Sequence, residues 1–466
     1  MAHYADAVAD MESRSEREDP TSWLYQAAMH GTRDPNPLPA WNKCTHGSWF
    51  FVAWHRMFVW YFEEIVRASI RRLHGDEAAE AWALPYWNYC RGGEFASIPD
   101  AFRSPTVNGD TNPLYVEARA PGINDGGQLE DEITESTKAL ARPNFIGIAE
   151  FGGGEGPADQ QFWEAGGVFE ETPHGSVHVG VGGWMGKIKT AAKDPIFWLH
   201  HCNIDRIWSQ WISQPNRENP PQPEWEGQEF EFFNIQGQPA SKASKAVVDT
   251  TVLGYKYDSV DGIPSGPPPA TPPSPQPPPE QEAAVSASAE PPVSGPKFVA
   301  ATEETVTLTG EPEAIPVEIN EQAQAEVREA SRKSDPRHLY LNIEDVEGET
   351  NPGTVYGIYV NLPKKDPDRE EKARHHVGNV SFFGIEHSRE PLKDEHGHSF
   401  RVSVEVGELL RALGGGEHYD EEKLTVSFLP LGLIPAEGAE EAASAAGEQA
   451  EQAPIHIGRV SLSIDA

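Results

Sequence analysis

Six histidines fall into two sets of three, and no other feature constrains this chain as much. The first set is His30, His46 and His55; the second is His174, His178 and His201. Two such sets can hold two metal ions with three ligands each, and each ion keeps an open position for a small molecule. A fold for this chain must bring widely separated segments around one centre. The expectation is a two-metal redox or oxygen site in the first half.

The local pattern says how some of these side chains are presented. The run HRMFVWYFEEIVRASIRRL places Phe58, Phe62, Ile65, Val66, Ser69 and Ile70 at three- and four-residue spacing, which predicts an amphipathic helix beginning near His55. DPIFWLHHCNIDRIWSQWI predicts a second, with Asp194 suited to cap it and Pro195 to its first position. In HGSVH, His174 and His178 are four residues apart and share one helix face. A zinc protease would show HExxH, but Gly175 follows the first histidine. A carboxylate-bridged di-iron bundle would need Glu-x-x-His pairs, and neither set has one. Imidazole-only ligation favours copper or zinc, and copper binds more tightly in the divalent series. His200 and His201 project about 100° apart on a helix, so only one can face a given metal. Asp205 lies one turn beyond His201. It is read either as the acceptor that orients a ligand ring or as an ion-pair partner to Arg206 or another base.

At 466 residues the chain is too long for one ordinary domain. A proline-dense segment at 263–296 reads as an extended linker between two textures. Residues 1–262 are rich in Trp and His with helical periods and long loops, and read as a mainly α-helical domain. Residues 297–466 contain short alternating runs such as HLYLNIEDVEG, TVYGIYVNLP and KLTVSFLPLGLI, and read as an antiparallel β-sandwich. Within it, Asn320 to Ser331 reads as one short helix and 437–454 as an acidic loop. The net charge of −36, acidic on both sides of the linker, disfavours nucleic acid and anionic membranes as partners. Cys44, Cys90 and Cys202 make no disulfide framework. Residues 1–20 lack the apolar core of a signal peptide, and no run of about 18 apolar residues occurs. A soluble, cytoplasmic protein is the expectation.

Two stretches carry a resemblance. WNKCTHGSWFFVAWHRMFVWYFEEIVR and ETPHGSVHVGVGGWMGKIKTAAKDPIFWLHHCNIDRIW resemble the two copper motifs of the tyrosinase and catechol oxidase family, the type 3 copper proteins. Tyr255 and Tyr257 in LGYKY resemble the tyrosine motif that closes the catalytic domain of that family. The resemblance implies two coppers as cofactors, one on His30, His46 and His55, the other on His174, His178 and His201, with His200 beside the site. It implies a thioether between Cys44 and His46, and Phe51 and Phe197 packed against the ligands. O₂ and a small phenol would be the partners, and o-diphenols would leave as o-quinones.

The resemblance also bears on tuning. A Glu at the position of Glu170 holds a proton-accepting water in plant-type enzymes. Good monophenolases often carry Asn where this chain has Gly175. With apolar Val179 after His178, this favours diphenol oxidation over monophenol hydroxylation. Ile188 replaces the bulky aromatic of the plant pattern, so Gly175, Val179 and Ile188 together suggest a pocket open to large phenols, with Lys187 and Lys189 near it. The second domain resembles the one that covers the active-site mouth in latent polyphenol oxidases. A bulky plug residue is expected there, unidentified from sequence. His375, His376 and the histidines of 394–399 read as surface histidines in loops, with copper loading as the alternative. Competing functional readings are a hemocyanin-like oxygen carrier and an o-aminophenol oxidase.

Overall fold

The computed structural model describes residues 1–158, 165–259, 297–302, 305–319, 321–330, 337–363, 367–387, 400–413, 423–436 and 453–465. The linker, the histidines of 394–399 and nearly all of 437–454 lie outside these residues.

The first half is helical, with long irregular connections. Helix Phe51–His74 is its longest element. All six positions picked out by the helical spacing are buried, so one stripe faces the core. Helix Ala2–Glu12 packs along it through Tyr4, Ala7, Val8 and Met11. Helix Trp23–His30 is capped by Ser22, whose side chain accepts from the Tyr25 N–H at 3.2 Å.

Helix Ile196–Ile212 starts one residue later than expected: Pro195 precedes it rather than opening it. Its start is held by Asp194, whose carboxylate accepts from the Ile196 N–H at 3.1 Å and from Arg119 at 2.7 and 2.9 Å. Both side chains of this ion pair are fully buried.

After the linker come two antiparallel sheets. One runs His376–Val380, Val355–Val360, Lys423–Leu431, Glu313–Glu318 in spatial order. The other runs Phe400–Glu405, Leu339–Glu347, Ile455–Ile464, Lys297–Ala301, and Val306–Leu308 also pairs with Ile455–Ile464. Their apolar faces share one core that includes Leu341, Val346, Ile358, Phe428 and Leu462. The expected helix spans Glu321–Ala330. Among the described residues no helix is long and apolar enough to cross a membrane.

The two halves are joined by more than the chain. Leu433–Ile434 pairs antiparallel with Gln128–Leu129, so a two-stranded sheet bridges the domains. Beside it the Gly432 N–H donates to the Glu130 carboxylate at 3.0 Å. Val355, Phe383 and Leu431 of the second half are buried in the core of the first.

Removing one member of a buried ion pair strands its partner's charge and costs about 3–5 kcal/mol. Asp194→Ala is therefore expected to lower the thermal unfolding midpoint by several degrees, whereas Asp100→Ala, at an exposed pair with Arg103, should leave it unchanged. Scanning calorimetry of the three proteins checks this.

Candidate metal centre

Four helices and two connecting segments deliver the six histidines to one place. His30 is the last residue of its helix and His55 lies one turn into Phe51–His74. His46 sits in the loop between them. The chain turns at Thr172, with φ −138° and ψ 120°, and His174 follows just ahead of helix Ser176–Val181, which carries His178. His201 comes from Ile196–Ile212. All six are buried. Ligating atoms of His30, His55 and His201 lie within 4.8 Å of one another, as do those of His174, His178, His200 and His201. His55 and His201 stack at 4.5 Å, which brings the two sets into one cluster.

The backbone fixes how these rings point. Nδ1 of His30 bonds the Ile188 carbonyl at 3.1 Å, that of His55 the Phe51 carbonyl at 2.8 Å, that of His174 the Glu170 carbonyl at 3.0 Å, and that of His178 the Met185 carbonyl at 2.9 Å. A carbonyl only accepts, so each Nδ1 carries the proton and each Nε2 offers a lone pair. Nε2 of His55 and of His174 is buried with no hydrogen-bond donor facing it. Burial, reinforced by the neighbouring rings, pushes His55, His174, His178 and His201 well below the ordinary histidine range. Imidazole nitrogens gathered in one buried site could hold a cation, and the donor set suits copper. Gly31 makes the His30 contact possible: a Cβ there would stand 2.5 Å from the Ile188 carbonyl oxygen.

The other expected site residues divide. Phe51 packs on His55 at 4.7 Å and His174 at 4.5 Å, and Phe197 on His30 at 4.8 Å and His201 at 4.2 Å. Cys44 is buried, with its sulfur within 4.8 Å of ligating atoms of His30 and His46. His200 stacks on Tyr89, whose hydroxyl lies 3.1 Å from its Nδ1, and burial pushes it down to about 3.

Asp205 decides between the two readings given for it. Its carboxylate pairs with Arg56 and accepts from the Tyr255 and Tyr257 hydroxyls at 2.6 and 2.5 Å. Among the described residues its partners are these and not a ligand ring, so the ion-pair reading holds, with Arg56 as the base. The tyrosine motif thereby ties the end of the first half to the two long helices.

Glu170 is buried. Both of its oxygens accept from the Gly47 N–H, at 2.8 and 2.9 Å, and burial pushes its carboxyl up to about 8. Glu170 and Gly175 line a cavity that runs from His174 to Phe400–Glu405 of the second sheet. Val179 and Ile188 are buried, and they, Lys187 and Lys189 lie outside the lining of this cavity. Ile188 instead contributes its carbonyl to His30.

Sequence reasoning named no residue of the second half at the centre. The structure brings Phe383 there: it stacks on His178 with 4.2 Å between centroids and 11° between planes, and meets His174 and His46 edge-on at 5.6 and 5.9 Å. Phe382, at φ 55°, makes the turn that delivers it. The loop is held by the Ser381 N–H on the Glu171 carboxylate at 2.5 Å and by Asn379, which donates to the Glu132 carbonyl at 2.6 Å. Burial pushes Glu171 up to about 7. Gly175 gives the loop its space, since a Cβ there would stand 2.7 Å from the Ser381 hydroxyl. His375 and His376 are not surface histidines. Both are buried, His375 on the Val360 carbonyl at 2.8 Å and His376 on Asn379 at 2.8 Å.

Comparison with known proteins agrees with this geometry. The common central domain of tyrosinase matches residues 20–145 and 131–214, and a domain of unknown function matches 296–464. A tyrosinase of Hahella sp. (strain CCB-MM4) is 30% identical over 99% of this chain and 96% of its own length. A chloroplastic polyphenol oxidase of Malus domestica is 27% identical over 89% of this chain and 70% of its own. The solved structure of latent apple tyrosinase shares the fold, with a TM-score of 0.62, 21% identity, and coverage of 100% of this chain and 94% of that one. The expected cytoplasmic location is overturned: the plant relatives are chloroplastic and another relative is bacterial, so residues 1–20 fix no compartment.

Metal analysis of dialysed, copper-loaded protein checks the ligand set. About two coppers per chain are expected for the wild type and for His200→Gln, and about one for His201→Ala. Retention of both by His201→Ala, with loss in His200→Gln, would exchange the two roles.

Proposed function

The chain belongs to the tyrosinase family, whose dicopper enzymes act on phenols with O₂, and we propose that it oxidises o-diphenols to o-quinones and is held latent by its own second domain. The observation that carries this reading is Phe383 stacked on His178, at the mouth of a cluster of outward-offered Nε2 lone pairs.

In this reading His30, His46 and His55 hold one copper and His174, His178 and His201 the other, and the pair supplies reduction of O₂ by the phenol. Two o-diphenols and one O₂ balance as two o-quinones and two waters. The protein's part is to hold six buried rings in a fixed arrangement before the reaction, and to keep water out. Phe51 and Phe197 wall the cluster. A thioether from Cys44 would lock His46, the one ring of the first set delivered by a loop.

Diphenol oxidation is favoured over monophenol hydroxylation. Hydroxylation requires a base for the phenol proton close to the metals. The Glu170 carboxylate is turned onto the Gly47 N–H, and Gly175 offers no side chain to polarise a water beside it.

One contact supports latency: a substrate ring cannot stack on His178 while Phe383 does. The second domain must move. Among the described residues its hold includes a short strand pair, the Arg369–Asp131 ion pair, hydrogen bonds such as that of Asn379 to the Glu132 carbonyl, and the buried Val355, Phe383 and Leu431. Oxygen uptake with 4-methylcatechol, and separately with tyramine, is to be measured before and after protease cleavage within 264–296. Catechol turnover that rises on cleavage, with a much lower tyramine rate, is the expected result. Reversible O₂ binding without turnover in either form would favour a carrier.

Phe383→Ala removes the plug while leaving the chain intact. It is expected to raise the uncleaved protein's catechol rate at least about tenfold by raising the share of accessible sites. Gly175→Ala is expected to act in the same direction by pressing on Ser381. Steady-state kinetics on uncleaved protein checks both.

A further inference from the structure

A second cluster of ligating side chains lies away from the histidine centre. His3 and Asp6 stand three apart on helix Ala2–Glu12, which places them on neighbouring positions of one face. His74 is the last residue of Phe51–His74, and the packing of the two helices brings it against them. Ligating atoms of the three residues lie within 4.8 Å of one another. His74 Nε2 is 2.9 Å from the Asp6 carboxylate, and the His3 and His74 rings are 4.5 Å apart, tilted by 47°.

We propose that His3, Asp6 and His74 form a binding site for one divalent transition-metal ion of the zinc class, which staples the first helix to the end of the helix that carries His55. Three features point to it. First, the donors are two imidazoles and one carboxylate, a set that suits zinc, cobalt, nickel or copper and not the oxygen-seeking calcium or magnesium. Second, a His–Asp ion pair alone would explain His74 and Asp6 but not the third member. His3 brings its ring against His74, and its Nδ1 is buried with no hydrogen-bond partner. Third, Asp6 and His74 are exposed while His3 is half-buried, so an ion can reach the site from solvent and keep water in its remaining positions. Metal bonds of about 2.0–2.2 Å require only that three side chains close slightly on a common point.

The site does not depend on the functional reading above. All three ligands come from helices that pack on one another within the first half, so an ion would add a cross-link between Ala2–Glu12 and Phe51–His74. Binding to the folded form alone raises stability by mass action.

The test uses the full-length protein with its histidine centre already filled with copper, so that the six core imidazoles are unavailable. Co²⁺ is then titrated and its visible d–d absorption followed. Zn²⁺ is added as competitor, and bound metal is measured after desalting. The wild type is expected to bind about one Co²⁺ more than His74→Ala, with the cobalt bands bleached by Zn²⁺. His3→Ala is expected to weaken binding at least about tenfold. Zn²⁺ should raise the thermal midpoint of the wild type and leave that of both variants unchanged. Equal Co²⁺ binding by the wild type and His74→Ala would overturn the proposal. So would undiminished affinity in His3→Ala, which would leave His74 and Asp6 as a simple ion pair. Both substitutions are near helix ends, and a retained far-UV circular dichroism spectrum with cooperative thermal unfolding in the absence of added metal shows that each variant is folded.

Discussion

Four hydrogen bonds from imidazole Nδ1 to backbone carbonyl govern the rest of this structure. Each fixes a tautomer and a ring plane at once, and each aims an Nε2 lone pair inward. The arrangement is costly without a metal: Nε2 of His55 and of His174 is buried with nothing donating to it. It persists because the acceptors belong to the main chain. The Phe51 and Glu170 carbonyls lie one turn before the rings they hold, so helical or near-helical backbone places them. The Ile188 and Met185 carbonyls come from the segment between His178 and His201, so correct packing of that segment is a condition for correct ligand geometry.

The scaffold serves this requirement with buried charge. Arg56 is next to His55 in sequence and pairs with Asp205, one turn beyond His201; its guanidinium also stacks on Trp208 at 3.8 Å. Tyr255 and Tyr257 close on the same carboxylate. Asp194 and Arg119 do the same at the other end of the His201 helix. Such pairs contribute little net stability but make misregistered packing expensive, because any slip strands a charge. Helix positions that carry ligands are thereby set to within the tolerance a metal demands. The second domain exploits the product. Gly175 leaves a gap, Ser381 fills it, and Phe383 takes the face of His178.

Much of the centre was legible in the sequence because helical spacing is local. His174 with His178, Phe51 with His55, and Phe197 with His201 are each one turn apart, and all three pairs meet in the structure. The sandwich was legible for the same reason: alternation and turns define strands. What escaped depends on contacts between distant segments. No local signal links Ile188 to His30, though Gly31 beside a ligand hinted at a close approach. Asp205 sits on the face of His201, yet its partner Arg56 lies on another helix. Phe383 is one of 19 phenylalanines, and only the meeting of two domains selects it. Expectations for Val179 and Ile188 treated side chains as pocket walls, whereas for Ile188 the backbone is the working part.

The central claim is that the six imidazoles hold two metal ions close enough to act as one unit. Electron paramagnetic resonance of the air-oxidised protein, loaded with two Cu(II) per chain, tests it most directly. Two adjacent Cu(II) ions couple their spins, so the integrated signal should account for only a small part of the copper present. A signal equal to the whole copper content would show isolated ions and contradict the account.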